Sequence, residues 1–346
     1  GIIGTRRWMD ILEVLNKISE DNRIRPYCHL PESATTVGTD EGETVRISIQ
    51  GASAYIKISD GCRCSCSYCA IPNIKGTLIS RPPEKILAEA RLLQDEGIRE
   101  IILIAQNTTD YGYDLGMKNG LADLLRQMSN NVPDVNWIRL LYAYPGYVTD
   151  ELIELMANNK QIVPYLDLPL QHAHPAVLKS MHRPANIEWV YKTLEKMRKA
   201  IPALALRTTF IVGYPGETEA QFQTLLDFID EVRFDKLGAF KYSFEAGTPA
   251  EKLGDPIPEE VKEERFNRLM EKQQQISLEC NQSLIGRNLD VLIEGTGKDI
   301  SIGRSYRDAP KIDGFVFVKG KLAIGEMVSV HIDNAMEYDL SGTVNV

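Results

Sequence analysis

The chain has 346 residues, 43% of them hydrophobic, and its 39 basic and 48 acidic side chains give a net charge of −9 and a pI of about 5.3. Such a length can bury one large core and a smaller one. No apolar run nears the roughly 18 residues that span a bilayer, and the acidic balance argues against a surface built to neutralise nucleic-acid phosphates. The expectation is a soluble, cytoplasmic protein without a membrane partner.

The chain opens on a helical pattern: over residues 6–18, Trp8, Ile11, Leu12 and Leu15 fall on one face. It starts abruptly at Gly1, as the last helix of a lost preceding domain would. Residues 19–50 are polar and turn-rich, and D-E-G at 40–42 predicts a hairpin loop before T-V-R-I-S-I-Q. Residues 1–50 therefore read as domain remnant and linker.

Strands and helices alternate from 51 to 284. Strand candidates are Tyr55–Ser59, Glu100–Ala105, Trp137–Tyr142, Tyr165–Leu168, Leu206–Val212 and Lys236–Tyr242. Amphipathic stretches follow them at 83–96, 149–158, 186–199, 217–231 and 258–284. Serial βα units predict a parallel sheet with right-handed crossovers, and strands apolar throughout suit burial on both faces. Six units are too few to close an eight-stranded barrel. The predicted fold is α/β, a partial (β/α)6 barrel whose site lies at the C-terminal ends of the strands.

The loop after the first strand reads S-D-G-C-R-C-S-C-S-Y-C-A-I-P, with Cys62, Cys66 and Cys69 spaced C-x3-C-x2-C. Three thiolates on one short loop can hold three corners of a cubane [4Fe–4S] cluster, which otherwise takes four. One iron then stays open, as a catalytic zinc with three protein ligands does. An open iron can chelate the amino and carboxylate groups of S-adenosylmethionine and pass an electron to its sulfonium, releasing a hydrogen-abstracting 5′-deoxyadenosyl radical. Cys64 in the same loop makes a four-thiolate zinc site conceivable, but zinc modules split their ligands into pairs a dozen or more residues apart. A disulfide cluster conflicts with six cysteines in 346 residues and with a reducing cytosol. Cys64 is read as a non-ligand.

From Ile285 the pattern turns to D-V-L-I-E-G, S-I-G-R-S-Y, G-F-V-F-V-K-G, M-V-S-V-H-I-D and S-G-T-V-N-V, five short strands that predict a small antiparallel β-barrel over 285–346. Its seven basic and nine acidic side chains suit a basic protein partner better than RNA.

Together these segments resemble the radical S-adenosylmethionine methylthiotransferases, and among them the ribosomal-protein aspartate methylthiotransferases of the RimO type. The carriers are D-G-C-R-C-S-C-S-Y-C-A-I-P (60–72), A-Q-N-T-T-D-Y-G-Y-D-L (105–115), D-L-P-L-Q-H (167–172), R-T-T-F-I-V-G-Y-P-G-E-T (207–218), F-D-K-L-G-A-F-K-Y-S-F-E-A-G-T (234–248), G-R-S-Y-R-D-A-P-K-I-D-G (303–314) and Y-D-L-S-G (338–342). A-Q-N-T-T-x-Y-G and D-A-P-K-I-D-G resemble this branch rather than the sister branch that modifies transfer-RNA adenosine. The resemblance implies a radical-SAM barrel, a C-terminal TRAM domain that recognises substrate, and methylthiolation of an aspartate β-carbon in protein twelve of the small ribosomal subunit. It also implies an electron donor such as flavodoxin or ferredoxin, and a second [4Fe–4S] cluster on three cysteines of an N-terminal domain. Only Cys28 precedes residue 62, so that second site is expected in a missing domain.

No catalytic side chain is assigned beyond the cluster ligands. For the S-adenosylmethionine contacts, Tyr68 lies between two ligands and can pack on the adenine or merely cover the loop. Gln106 ends the second strand, where it either meets the methionyl amine or is capped by backbone. Gln171 ends the fourth strand; Arg207 opens the fifth and either forks onto the methionyl carboxylate or pairs with an acidic neighbour; Arg183 is a further candidate. Gly213, in G-Y-P-G-E, either lets the backbone approach the nucleoside or forms a strand-to-helix turn. His172 and His174 read as site or loop residues, Cys28 and Cys280 as inert thiols. Q-H-A-H-P at 171–175 departs from the family pattern without a reason in the sequence.

Overall fold

The computed structural model describes residues 1–20, 27–30 and 49–345. The hairpin loop expected at 40–42 and most of the strand after it lie outside the described residues; Ile49–Gln50 is a short strand.

Six strands carry the main sheet: β1 (Ser53–Lys57), β2 (Glu100–Ile104), β3 (Trp137–Leu140), β4 (Ile162–Asp167), β5 (Ala205–Val212) and β6 (Lys236–Lys241). They pair in parallel in sequence order, with Ile49–Gln50 antiparallel on β1 at one edge and β6 at the other. The longer helices are α1 (Ile11–Glu20), α2 (Pro83–Asp95), α3 (Gly120–Asn131), α4 (Asp150–Asn158), α5 (Ile187–Ala200), α6 (Glu219–Val232) and α7 (Glu259–Gln282), with short ones at Ile71–Lys75 and Pro175–Ser180. The partial barrel follows from the chain: strand side chains alternate, so on β2 Ile101 and Leu103 pack under the helices while Ile102 faces the lumen with Trp137, Val163, Tyr165 and Ala205. Each fully buried aliphatic residue contributes about 1.5–3 kcal/mol. Local signals agree at the helix starts. In α6, Thr218 and Gln221 form a reciprocal capping box.

One feature departs from the sequence reading. Helix α3 was not among the predicted stretches, although Leu121, Leu124, Leu125 and Met128 recur at helical spacing and are all buried. In the N-terminal helix the apolar stripe is exposed: Trp8, Ile11, Leu12 and Leu15 face outward, and Val14 is buried instead.

Beyond α7 lie β7 (Asn288–Thr296), β8 (Ile300–Ser305), β9 (Val316–Lys319), β10 (Met327–Ala335) and β11 (Leu340–Val344), closed into a barrel around Val291, Ile293, Val316, Val318, Val330 and Ile332. Its pairs are antiparallel except β9 with β11, which is parallel. Five strands force that exception, because up-and-down alternation cannot close on an odd ring.

The small barrel docks over the N-terminal ends of the main strands. Leu292 and Ala309 close the lumen core, and a buried ionic network surrounds them. Glu100, which opens β2, accepts from Arg139 at 2.7 Å, Arg304 at 2.5 Å and Ser53 at 2.8 Å, and all three ions are fully buried. Burial alone would raise the Glu100 carboxyl; Arg139 and Arg304 outweigh it and hold the group at about 2. Alongside, Lys236 pairs with Asp308 at 2.7 Å and Arg307 pairs with Asp235.

Candidate functional site

At the opposite, C-terminal end of the strands lies a cavity of 420 Å³ lined by Cys62, Cys64, Cys66, Cys69, Tyr68, Gln106, Tyr142, Tyr144, Pro169, Gln171 and Arg183. The cysteine loop reaches it through a turn that only glycine fits: Gly61 has φ +72, and a Cβ there would meet the Thr77 carbonyl at 2.1 Å. The loop is then tied down on several sides. Cys62 N–H donates to the Gly76 carbonyl (3.2 Å), Cys69 N–H to Cys66 (3.1 Å) and Ser67 N–H to Met181 (3.0 Å), while the Ser67 hydroxyl meets the Tyr214 hydroxyl at 2.8 Å. Arg63 forks onto Asp110 at 2.9 and 2.5 Å and lies 3.2 Å over the Tyr113 ring.

All the cysteines are free thiols. The Cys64 N–H donates to Cys62 Sγ at 3.4 Å, and Asn107 Nδ2 lies 3.9 Å from Cys64 Sγ. Hydrogen bonding from Cys64 holds Cys62 below the ordinary thiol value and pushes Cys64 up, whereas burial raises Cys69. Among the described residues no three His, Cys, Asp or Glu side chains converge on one point as a single ion requires. A cubane asks for less, since each thiolate meets its own iron.

Of the residues nominated for S-adenosylmethionine, Tyr68, Gln106, Gln171 and Arg183 line this cavity. The amide oxygens of Gln106 and Gln171 are both buried without a protein partner, and unpaired buried acceptors are costly. Gln171 also holds φ +73 and Tyr142 φ +62, conformations that cost a non-glycine residue about 1–2 kcal/mol. Backbone bonds lock Gln171 there: its N–H donates to Thr209 and its carbonyl accepts from Ile211, each at 2.8 Å. Strain retained at two cavity residues marks a functional surface. The side chain of Arg183 is committed to the protein: it donates to the Pro169 carbonyl, lies 3.7 Å from Cys66 Sγ and stacks 4.3 Å from the Tyr144 ring.

Arg207 and Gly213 do not line the cavity. Arg207 sits near the start of β5, at the end away from the rim, where Asp167 takes it at 2.8 Å and Asp313 of the small barrel at 3.5 Å. The acidic-neighbour alternative is the one this placement matches. Gly213, at φ +72, packs its α-carbon on Lys262, whose Cγ a Cβ would approach to 2.4 Å. The odd Q-H-A-H-P segment now has a reason: His174 Nδ1 accepts the Ala176 N–H at 3.2 Å as an N-cap, and Pro175 occupies the first helical position. His172 is buried, its Nδ1 accepting from His174 N–H. Missed by sequence reasoning were Tyr142 and Tyr144, although L-Y-A-Y-P follows the third strand at the rim and the rim rule alone points to it.

The residues fit a cubane cluster beside a cationic, amine-bearing ligand. Three cysteines of one loop, two orphaned amide acceptors and a cavity large enough for a nucleoside meet in one place.

Residues 56–229 match the Radical SAM superfamily and residues 285–344 the TRAM domain. The ribosomal protein uS12 methylthiotransferase RimO of Chloroflexus aurantiacus is 45% identical over 355 residues, covering 98% of this chain and 78% of that protein. Its namesake from a Roseiflexus species is 43% identical, covering 99% and 76%, and that of Herpetosiphon aurantiacus 49% identical, covering 85% and 64%. On a shared sequence of this extent, the chain belongs to the radical SAM superfamily and, within it, to the ribosomal protein uS12 methylthiotransferase RimO family.

Proposed function

We propose that this chain binds S-adenosylmethionine at the cysteine cavity and supplies the radical-generating and substrate-recognition part of methylthiolating the β-carbon of an aspartate in ribosomal protein uS12. The observation that carries the reading is the meeting of Cys62, Cys66 and Cys69 with the unpaired Gln106 and Gln171 oxygens in one buried pocket. The three thiolates would hold a [4Fe–4S] cluster with one iron left for the cosubstrate. When bound, the cluster supplies the electron that cleaves the sulfonium carbon–sulfur bond and so provides the hydrogen-abstracting 5′-deoxyadenosyl group.

The protein's part is positioning and exclusion of water. Gln106 and Gln171 would accept from the N–H groups of the methionyl amine, which relieves two buried acceptors. Tyr68 and Tyr144 wall the cavity, and Arg183, pinned to Pro169 and stacked on Tyr144, fixes the base beneath Cys66. We assign residues 51–284 to the reaction and 285–346 to recognition, with 1–50 as connection. The nine carboxylates of 285–346 against seven basic groups favour a basic protein over transfer RNA.

Sulfur insertion is assigned to a second [4Fe–4S] cluster on cysteines other than the loop's, with reduction by flavodoxin or ferredoxin in the cytoplasm. Cys28 and Cys280, the two cysteines outside the loop, lie in separate elements and are not its ligands. Anaerobic loading with iron and sulfide, followed by S-adenosylmethionine and dithionite, is expected to yield 5′-deoxyadenosine. A full cluster that yields none would sink the reading.

A further inference from the structure

Beside the cysteine cavity, and sharing Tyr68 and Gln171 with it, lies a second cavity of 240 Å³ walled by Thr209, Ile211, Phe240 and Tyr242. It opens along β6, the last strand of the sheet, which among the described residues has a strand neighbour on one side only. An edge of this kind presents unpaired backbone N–H and C=O groups, a template for another extended chain.

The side chains here point to a ligand. Gly238 faces the lumen, because a Cβ on it would lie 3.2 Å from the Arg207 guanidinium. By the two-residue alternation Phe240 faces the same way, yet it is 62% exposed. An inward-facing phenylalanine left bare at the mouth of a cavity is unusual for a residue that contributes so much on burial. The Tyr242 hydroxyl, on a side chain only 4% exposed, is buried without a partner. At this edge Lys241 is neutralised by Glu259 and Glu263 at 2.5 and 2.6 Å and Lys262 by Asp255 at 2.6 Å, which sets three carboxylates against two ammonium groups.

We propose that this slot is the docking site for an extended, basic segment of the substrate protein. It lies along β6, covers Phe240, and turns the residue to be modified past Tyr68 and Gln171 into the cysteine cavity. The inference rests on the methylthiotransferase reading and adds where the polypeptide sits. Backbone pairing suits a polypeptide and not a nucleic acid, and the acidic flank opposes phosphates.

The test measures binding of recombinant uS12 to the cluster-loaded chain, comparing wild type with Phe240→Ala, Phe240→Leu and Tyr242→Phe. Phe240→Ala is expected to weaken binding at least about tenfold, as removal of an aromatic anchor does, with Phe240→Leu restoring most of it and Tyr242→Phe losing a few-fold. Iron content and the thermal midpoint should match wild type throughout. Equal binding by wild type and Phe240→Ala overturns the slot and leaves the activity reading standing. Failure of wild type itself to bind uS12 overturns both. Loss of binding that tracks loss of iron or a lower midpoint assigns Phe240 a structural role and overturns the slot, as does a ribosomal RNA fragment bound more tightly than uS12 in a Phe240-dependent way.

Discussion

Alanine at Cys62, Cys66 or Cys69 is expected to leave the chain unable to hold iron after anaerobic loading and to abolish 5′-deoxyadenosine formation, whereas Cys64→Ser keeps both. The physical reason is the count: a cubane anchored at three corners keeps one iron for the cosubstrate, and one anchored at two keeps neither its place nor its geometry. Second-sphere changes at metal sites cost about 10–100-fold, so loss of a ligand must exceed that range. Cys64 differs because the loop uses its backbone: its N–H donates to Cys62 Sγ, a bond that serine keeps. Iron counting and absorbance on the four variants decide the matter. Iron lost with Cys64→Ser but kept in one of the other three would mean the wrong thiolates have been chosen.

The second large effect is expected far from the cavity. Arg304→Ala removes one of two guanidinium partners from Glu100, all fully buried, and leaves a carboxylate undercompensated. Breaking such a buried pair costs about 3–5 kcal/mol. Urea unfolding should report that loss, and Glu100→Gln combined with Arg139→Met and Arg304→Met should recover much of it because the three mutually paired charges are removed together. A cost under about 1 kcal/mol would show the network to be incidental. The pH dependence has a definite sign. Glu100 titrates at about 2 in the fold against an ordinary 4.5. Its contribution is therefore complete above the unfolded value and is lost as pH falls from about 4.5 toward 2. Glu100→Gln should flatten the stability curve across that window and nowhere else.

The barrel was legible because its signals are local. Runs such as Leu206–Val212 are rich in β-branched and apolar residues, and the observed β5, Ala205–Val212, differs from that run by one residue. The cysteine loop was legible for the same reason, being a spacing on one short segment. Arg207 shows where such reading stops. A guanidinium on a strand has no preferred partner in the sequence, and its role is set by Asp167, 40 residues away, and by Asp313 in another unit. Opening a strand also puts a residue at the end opposite the rim, which the topology makes plain only once the strands are assembled. The Glu100–Arg139–Arg304 cluster was hidden likewise, since each member alone looks like an ordinary surface charge. The Trp8–Leu15 stripe meets the same limit, because periodicity reveals that a face is apolar, not what covers it. Helix α3 carries the same periodicity in Leu121, Leu124, Leu125 and Met128.

The C-terminal barrel and the cysteine cavity stand at opposite poles of one cylinder. A strand of eight residues is about 26 Å long at roughly 3.3 Å per residue, so no short fragment can touch both poles at once. Anything held by the C-terminal barrel while one of its side chains reaches the thiols must therefore span that length, as about eight extended residues or a folded body would.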